Sequence, residues 1–565
     1  MLDLTSSPLA AGAKLTIRSG ELDGRLPLAE ALDAAAKSVD SRRGESYELA
    51  LDGAGRAEVS VGSVAALNRL RSVIDSSPPS AVAGVRVLRD SARVATRAVH
   101  ECFYGEKWAP EDRLSVIRAA ASFGVNAYVY GPSADRRTGG LWRELYGGAE
   151  REALTDFARR ARALGIEPIW RVSPAAPLEP DCAIRIADEA EMAALVAKID
   201  HVLGLGFERV LIAFDDLTAG LDDDAAGVFG GAAHPLAAAH ASVIRAVGER
   251  VGHSRLIACP LHYWGVDTST YRREFGAGFP AEVPVCWTGP AVISDEIDSA
   301  GSAAVADELG HPLWLWDNYP VNDWDMEGIS ALPLHAQPGL DNLVRPRRLP
   351  LAALQGRDPR LVDGVAAMGS NLAIGPWTGL PGALTLCDFA WSGGAYRPER
   401  SWSVAVGLLG VDADALAVLT DAAGPGSGSP SRRPSAFAAA CARVFSADDD
   451  ANLDMALIQL ESVVAVHVQA LTALRGNPNR LTAELHPWLM ELGRQCQFAR
   501  LACLALRASV TEASELAKEL SGALARPSLV SVASGMGRAL AEYARGLVAG
   551  GTPDIDLPNS DSFGH

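Results

Sequence analysis

VLIAFDDLTAG, residues 210–220, sets five apolar residues directly before two adjacent aspartates, Asp215 and Asp216. A short, unbroken apolar run reads as a strand buried on both faces, as in a parallel sheet. Two neighbouring carboxylates at its end repel, and ionising both beside a low-dielectric core is costly. Such a pair is either solvated at the surface or held in a site that uses the conflict.

The same rhythm extends on both sides, from about residue 96 to 375. TRAVHECFYG, VNAYVYGP, IEPIWRVSP, ERVLIAFDDL, SRLIACPLHYW, VPVCWTGPAV and PLWLWDNYP are short apolar runs. Helix-length stretches with apolar residues three and four apart, such as EREALTDFARRARALG, lie between them. An eighth strand is expected near 361–374, in LVDGVAAMGSNLAI. The count and length predict an α/β fold, a (β/α)8 TIM barrel, over an open doubly wound sheet. No GxGxxG or GxxxxGKS/T follows any strand, which counts against nucleotide-binding folds.

Around the barrel the predicted organisation is a small N-terminal α/β domain over 1–95, the barrel over 96–380, a C-terminal helical bundle over 381–549 and a flexible tail over 550–565. The first region mixes AKLTIRSG, YELALDG and VAGVRVLRD with a helical LAEALDAAAKSV, and breaks over residues 75–81, a turn rich in Ser and Pro. The last region shows helical apolar spacing, interrupted by AAGPGSGSPSRRPS at 422–435.

The chain has 565 residues, 48% hydrophobic and 21% charged, which suits several globular cores. A formal net charge of -18 argues against a nucleic-acid backbone or an anionic membrane as partner. Eight cysteines without a CxxC pair predict neither a disulfide framework nor a zinc site, and fit a reducing, cytoplasmic compartment. We read no secretory signal and no apolar run long enough to span a bilayer. Oligomeric state is left open, a homo-oligomer included.

In such a barrel the reactive side chains stand at the C-terminal strand ends. Those ends carry Phe103 and Tyr104, then Asp215 and Asp216, then His262, Tyr263 and Trp264, then Trp287 and Thr288, and finally Asp317, Asn318, Asn322 and Asp323. Aromatic, amide and carboxylate groups with almost no Lys or Arg make a poor phosphate site. They suit a neutral, hydroxyl-rich ligand such as a sugar. Each residue alone is as readily a packing residue; the joint pattern carries the reading.

ECFYGEKWAPEDRL at 101–114 resembles the EGFYGxPWS…R opening of glycoside hydrolase family 84, the O-GlcNAcase and bacterial β-N-acetylglucosaminidase family. LWRELY at 141–146, FDDL at 214–217, VCWTGP at 285–290, LWDNYPVNDWD at 315–325 and AYRPERSW at 395–402 are similar in order and spacing. The resemblance covers about residues 85–405. It implies a retaining β-N-acetylglucosaminidase without an enzyme nucleophile, in which the substrate's 2-acetamido oxygen forms an oxazoline; such enzymes stand outside the two-carboxylate scheme. By position, Asp215 would orient the acetamido N–H. Asp216 would be the general acid and then the base, its pKa raised by partial burial and by its neighbour. Tyr263 would hydrogen-bond near the reacting acetamido group. Asn318 and Asp323 would bind the sugar, and Trp316 would wall the pocket.

Three positions depart from the family pattern. Its glycine before FYG is Cys102 here, its sugar-binding lysine aligns with Ser133, and its asparagine after strand eight aligns near Met368, with Asn371 close by. The expected substrate-binding set is therefore Cys102, Phe103, Tyr104, Ser133, Trp287, Trp316, Asn318, Asp323 and Met368. No metal and no cofactor is expected. Because the departures fall among sugar contacts, two alternatives stay open. One is a relative acting on a modified amino-sugar metabolite or natural-product glycoside. The other is a non-catalytic sugar-binding or scaffold protein.

Overall fold

A computed structural model describes residues 14–15, 26–51, 56–76, 87–217, 220–323, 349–423, 435–508, 510–525 and 536–548. Most of the extended run at 13–20, the turn after Ser76, the Gly/Ser/Pro stretch at 424–434, the motif end at 324–325 and the tail at 550–565 lie outside the described residues. The chain divides into two compact units; among the described residues the first takes those up to Asp323 and Ala353–Ala405, and the second takes 349–352 and those from Val406 onward.

The first unit opens with an antiparallel five-stranded sheet of β1 (Lys14–Leu15), β2 (Leu26–Pro27), β3 (Ser46–Leu51), β4 (Arg56–Val61) and β5 (Val87–Ser91), in the order β1-β5-β3-β4-β2. Two helices, α1 (Leu28–Lys37) and α2 (Val64–Asp75), accompany it. The α2 helix starts where the Ser63 hydroxyl caps the Ala66 N–H. Buried charges tie this part of the chain to the barrel of the same unit. Arg97 donates to Glu45 at 2.6 Å, and Arg69 pairs with Asp388 with both side chains almost fully buried.

Eight parallel strands then close into a barrel: β6 (Thr96–Glu101), β7 (Ala127–Tyr130), β8 (Glu167–Val172), β9 (Arg209–Ala213), β10 (Leu256–Cys259), β11 (Val285–Trp287), β12 (Leu313–Asp317) and β13 (Ala367–Asn371). This is the predicted (β/α)8 barrel, with its eighth strand inside the expected window. The intervening helices are α3 (Pro110–Ser122), α4 (Gly148–Ala163), α5 (Glu189–Gly204), α6 (Asp223–Phe229), α7 (Pro235–Val251), α8 (Thr270–Ala277), α9 (Ser299–Leu309) and α10 (Leu380–Ser392), which packs on β13 and β6.

Successive side chains on a strand point to opposite faces, so one parity fills the barrel and the other meets the helices. Ala98, Ile169, Leu211, Ala213, Trp314 and Trp316 belong to the interior set. His100 shares it: its ring lies 4.3 Å from that of Trp316, and its Nε2 accepts the Trp314 indole N–H at 3.2 Å. Burial pushes this imidazole down to about 3, so it stays neutral and able to accept.

The helix α11 (Pro398–Leu408) runs across the division between the units. The second unit contains α12 (Ala413–Ala423), α13 (Ala436–Phe445), α14 (Asp450–Gly476), α15 (Arg480–Glu484), α16 (His486–Arg507), α17 (Val510–Leu524) and α18 (Met536–Val548). The α14 helix packs on α12, α13 and α16, and α16 packs on α17 and α18. We expected no segment able to span a bilayer. By length and composition alone α14, at 27 residues, is such a segment. Leu457, Leu460, Val464, Leu471 and Leu474 are nonetheless buried along one side of it, the spacing of a core helix.

Candidate active site

The apolar run of β9 ends at Phe214, and the chain turns at once. Asp216 has φ +56°, a left-handed conformation that a non-glycine residue rarely adopts. On a continuing strand the two aspartates would point to opposite faces. The turn removes that constraint, and the pair is split by environment. Asp215 is half-buried, whereas Asp216 is exposed.

Each carboxylate has its own partners. Arg171, from β8, directs Nη2 at both oxygens of Asp215, at 2.8 Å each. Asp216 accepts the Tyr104 hydroxyl on Oδ2 and the Tyr263 hydroxyl on Oδ1, both at 2.7 Å. Burial and the Asp216 charge push both phenols above their ordinary range, so they remain protonated donors. Partial burial was expected at Asp216, but Asp215 is the more buried of the two. Burial pushes the Asp215 carboxyl up, Arg171 opposes the shift, and the Asp216 charge adds to it.

A second group stands at the ends of β12 and β13. Trp316 donates its indole N–H to Asn318 Oδ1 at 3.1 Å, and Asn371 donates to the same oxygen at 2.9 Å. Asn318 donates in turn to the Val292 carbonyl at 2.7 Å. The Asn371 oxygen is buried with no hydrogen-bond partner. Asp323 accepts the Tyr104 backbone N–H at 2.8 Å, which ties the β12 loop to the first barrel loop.

Several expected contacts take other places. Ser133 donates to the Phe103 carbonyl at 3.1 Å and accepts the Gly105 N–H at 3.3 Å, so it braces a loop. Phe103, Trp287 and Met368 have essentially no exposed surface. Phe103 lies against Trp108, with centroids 5.4 Å apart, and Trp287 donates to the Gly265 carbonyl at 3.0 Å. Met368 sits between Ala367, which is interior, and Gly369, whose added Cβ would meet His100; it therefore points outward, and Asn371 takes the inward position at that strand end. Cys102 packs against the barrel core. Asp317 is buried in an ion pair with Arg357 at 2.7 Å, and His262 bonds Ser269 at 2.8 Å.

Arg171 overturns the expectation of a pocket almost free of cations. The alternation held the signal: Ile169 is interior, so the residue two further on shares its face. Among the described residues no group of three or more His, Cys, Asp or Glu is placed to hold a metal ion. All eight cysteines are free.

Paired carboxylates at the mouth of a closed β/α barrel, flanked by phenols, an indole and amides, define a barrel of the glycoside-hydrolase class. The profile of the family described as beta-N-acetylglucosaminidase matches residues 97–421, more than half of the chain. The chain belongs to that family, glycoside hydrolase family 84. It is 29% identical to Protein O-GlcNAcase of Mus musculus over 266 residues, covering 46% of this chain and 28% of that one. It is also 29% identical to Protein O-GlcNAcase of Rattus norvegicus over 242 residues, covering 42% and 25%. The matches thus span about a quarter of the length of these relatives. In fold, the chain is similar to a mutant of Thermobaculum terrenum O-GlcNAc hydrolase, with TM-score 0.70, 24% identity, and 80% and 95% of the two chains covered. It is equally similar to CpGH84B, with TM-score 0.70, 19% identity, and 91% and 88% covered.

Proposed function

We propose that the protein hydrolyses β-linked N-acetylglucosaminides with retention of configuration, by substrate-assisted catalysis. The observation that carries this reading is the split pair at the end of β9: Asp215 half-buried and ion-paired, Asp216 exposed and held by two phenols. Two carboxylates with different environments are suited to different roles.

In this reading Asp215 accepts the acetamido N–H and aims the amide oxygen at the anomeric carbon. That oxygen bonds to the carbon as the glycosidic bond breaks, and the leaving oxygen takes a proton from Asp216. Water then adds to the oxazoline, gives a proton back to Asp216, and the amide is restored. Tyr104 and Tyr263 fix the Asp216 carboxylate for both transfers. Trp316 walls the pocket, while Asn318, Asn371 and Asp323 meet sugar hydroxyls. A reducing, cytoplasmic setting is consistent with eight free cysteines. A modified amino sugar is a second reading of the substrate, favoured by one observation: Ser133 is spent on a loop contact while Arg171 brings a cation to the pocket.

The test is turnover of an aryl β-N-acetylglucosaminide by the wild type and by Asp215→Asn and Asp216→Asn. Each variant should lose about a hundredfold or more in kcat while folding normally. Undiminished turnover in either variant would contradict its assigned role.

A further inference from the structure

Arg171 is unusual in where it stands. It projects into a barrel interior made of small and apolar residues, and only 13% of its side chain is exposed. Ionising a guanidinium there is costly unless a carboxylate compensates it, and Asp215, 18% exposed, does so. One nitrogen spans both carboxylate oxygens, so the Asp215 side chain is held against rotation about its last bond. Arg171 Nε is buried without a hydrogen-bond partner, so the guanidinium is not spread over other acceptors through that edge.

The neighbouring strand makes room for it. A Cβ at Gly131, just past β7, would lie 2.6 Å from Arg171 Cβ and 3.0 Å from its Cδ. Real atoms do not approach so closely, so any larger residue at 131 moves the arginine. Gly131 and Arg171 work as one device: the first leaves the space through which the second reaches Asp215.

We propose that Arg171 is a positioning residue of the reaction, locking the Asp215 carboxylate in the orientation that receives the substrate's amide N–H. The proposal rests on the glycosidase reading for the identity of the amide. The lock itself rests on geometry alone.

The groups facing Asp215 are Arg171 from β8, Asp216 from its own turn, Cys102 and Tyr104 beyond β6, Cys259 on β10 and Tyr263 beyond β10. The phenols are pushed up and stay neutral. So do the thiols, Cys102 through burial and Cys259 through its hydrogen bond with Cys286 and burial. Arg171 is the cation among these six. Burial raises the Asp215 carboxyl and Arg171 lowers it, so removing Arg171 must move the protonation of Asp215 to higher pH. A protonated Asp215 accepts the amide N–H less well, and the acidic limb of the rate profile must follow.

The experiment compares wild type with Arg171→Met, which keeps volume and drops charge, with Arg171→Lys, and with Gly131→Ala, which leaves Asp215 untouched. Two readouts are taken. One is the pH profile of kcat/KM on an aryl β-N-acetylglucosaminide. The other is the carboxyl carbon-13 titration of Asp215, assigned by its absence in Asp215→Asn and reported as a midpoint of the interacting Asp215–Asp216 pair. The expected result is an upward shift of about one pH unit or more in both readouts for Arg171→Met and Gly131→Ala, with Arg171→Lys between them and the wild type. Folding is checked by circular dichroism; should Arg171→Met not fold, Arg171→Lys and Gly131→Ala carry the test. Folded variants with unshifted titration overturn the proposal. No wild-type turnover together with a shifted titration overturns the glycosidase reading and supports the lock.

Discussion

The backbone at Asp216 takes a conformation costing on the order of 1–3 kcal/mol in a residue with a side chain. Its return is geometric. It turns the second carboxylate toward Tyr104 and Tyr263 while the first stays against Arg171. The same residue-level geometry separates Asn371 from Met368. Asn371→Ala should raise KM about five- to a hundredfold, since it removes a hydrogen bond worth ~1–3 kcal/mol from the group around Asn318. Met368→Leu should leave KM unchanged, because its side chain is fully buried. Steady-state kinetics of the two variants checks both; a KM effect confined to Met368→Leu would refute this placement. The aspartate pair, Tyr104, Tyr263, Trp316, Asn318 and Asp323 were legible from strand ends and family pattern. Arg171 and Asn371 were not, because both depend on which parity of a strand faces inward. Residue type does not reveal that, but one interior neighbour does. Phe103 and Trp287 were misplaced for the same reason, as aromatic residues one step out of phase.

At the scale of the element, β13 shows how tightly the barrel is filled. A Cβ at Gly369 would lie 2.1 Å from His100 Nε2, a ring already packed against Trp314 and Trp316. Close-packed interiors do not absorb an added methyl freely. Gly369→Ala should therefore destabilise the protein by about 1–3 kcal/mol, read as a lowered denaturation midpoint in urea. An unchanged midpoint would mean that the His100 ring has room to move. The strands were legible because a strand covered on both faces reads as a continuous apolar run. β13 was the hardest to read, since AMGSN has three small residues and a terminal amide. The expectation of no apolar run long enough to span a bilayer meets an exception in α14, by length and composition alone. Gln459, Glu461, His467 and Gln469 interrupt the stretch from Leu457 to Leu474, so it shows no continuous apolar run although its average is apolar enough for a span.

Across the molecule, the alternation of short apolar runs with helix-length stretches sets the architecture, and eight strands close the barrel. The ion pairs that tie the N-terminal sheet to the barrel, Arg97 with Glu45 and Arg69 with Asp388, join residues far apart in sequence. No local pattern announces such pairs. The functional account depends on a property of the whole barrel: a closed parallel sheet brings β6, β8, β9, β10, β12 and β13 to one mouth, where a sugar can meet all of their ends at once. Its central claim is hydrolysis through a neighbouring amide rather than by direct attack of water. The most direct measurement is proton NMR of the sugar released from an aryl β-N-acetylglucosaminide during the first moments of wild-type turnover. The account predicts that the β-anomer of N-acetylglucosamine appears first and equilibrates only later. An α-anomer appearing first, or no release of N-acetylglucosamine, would contradict it.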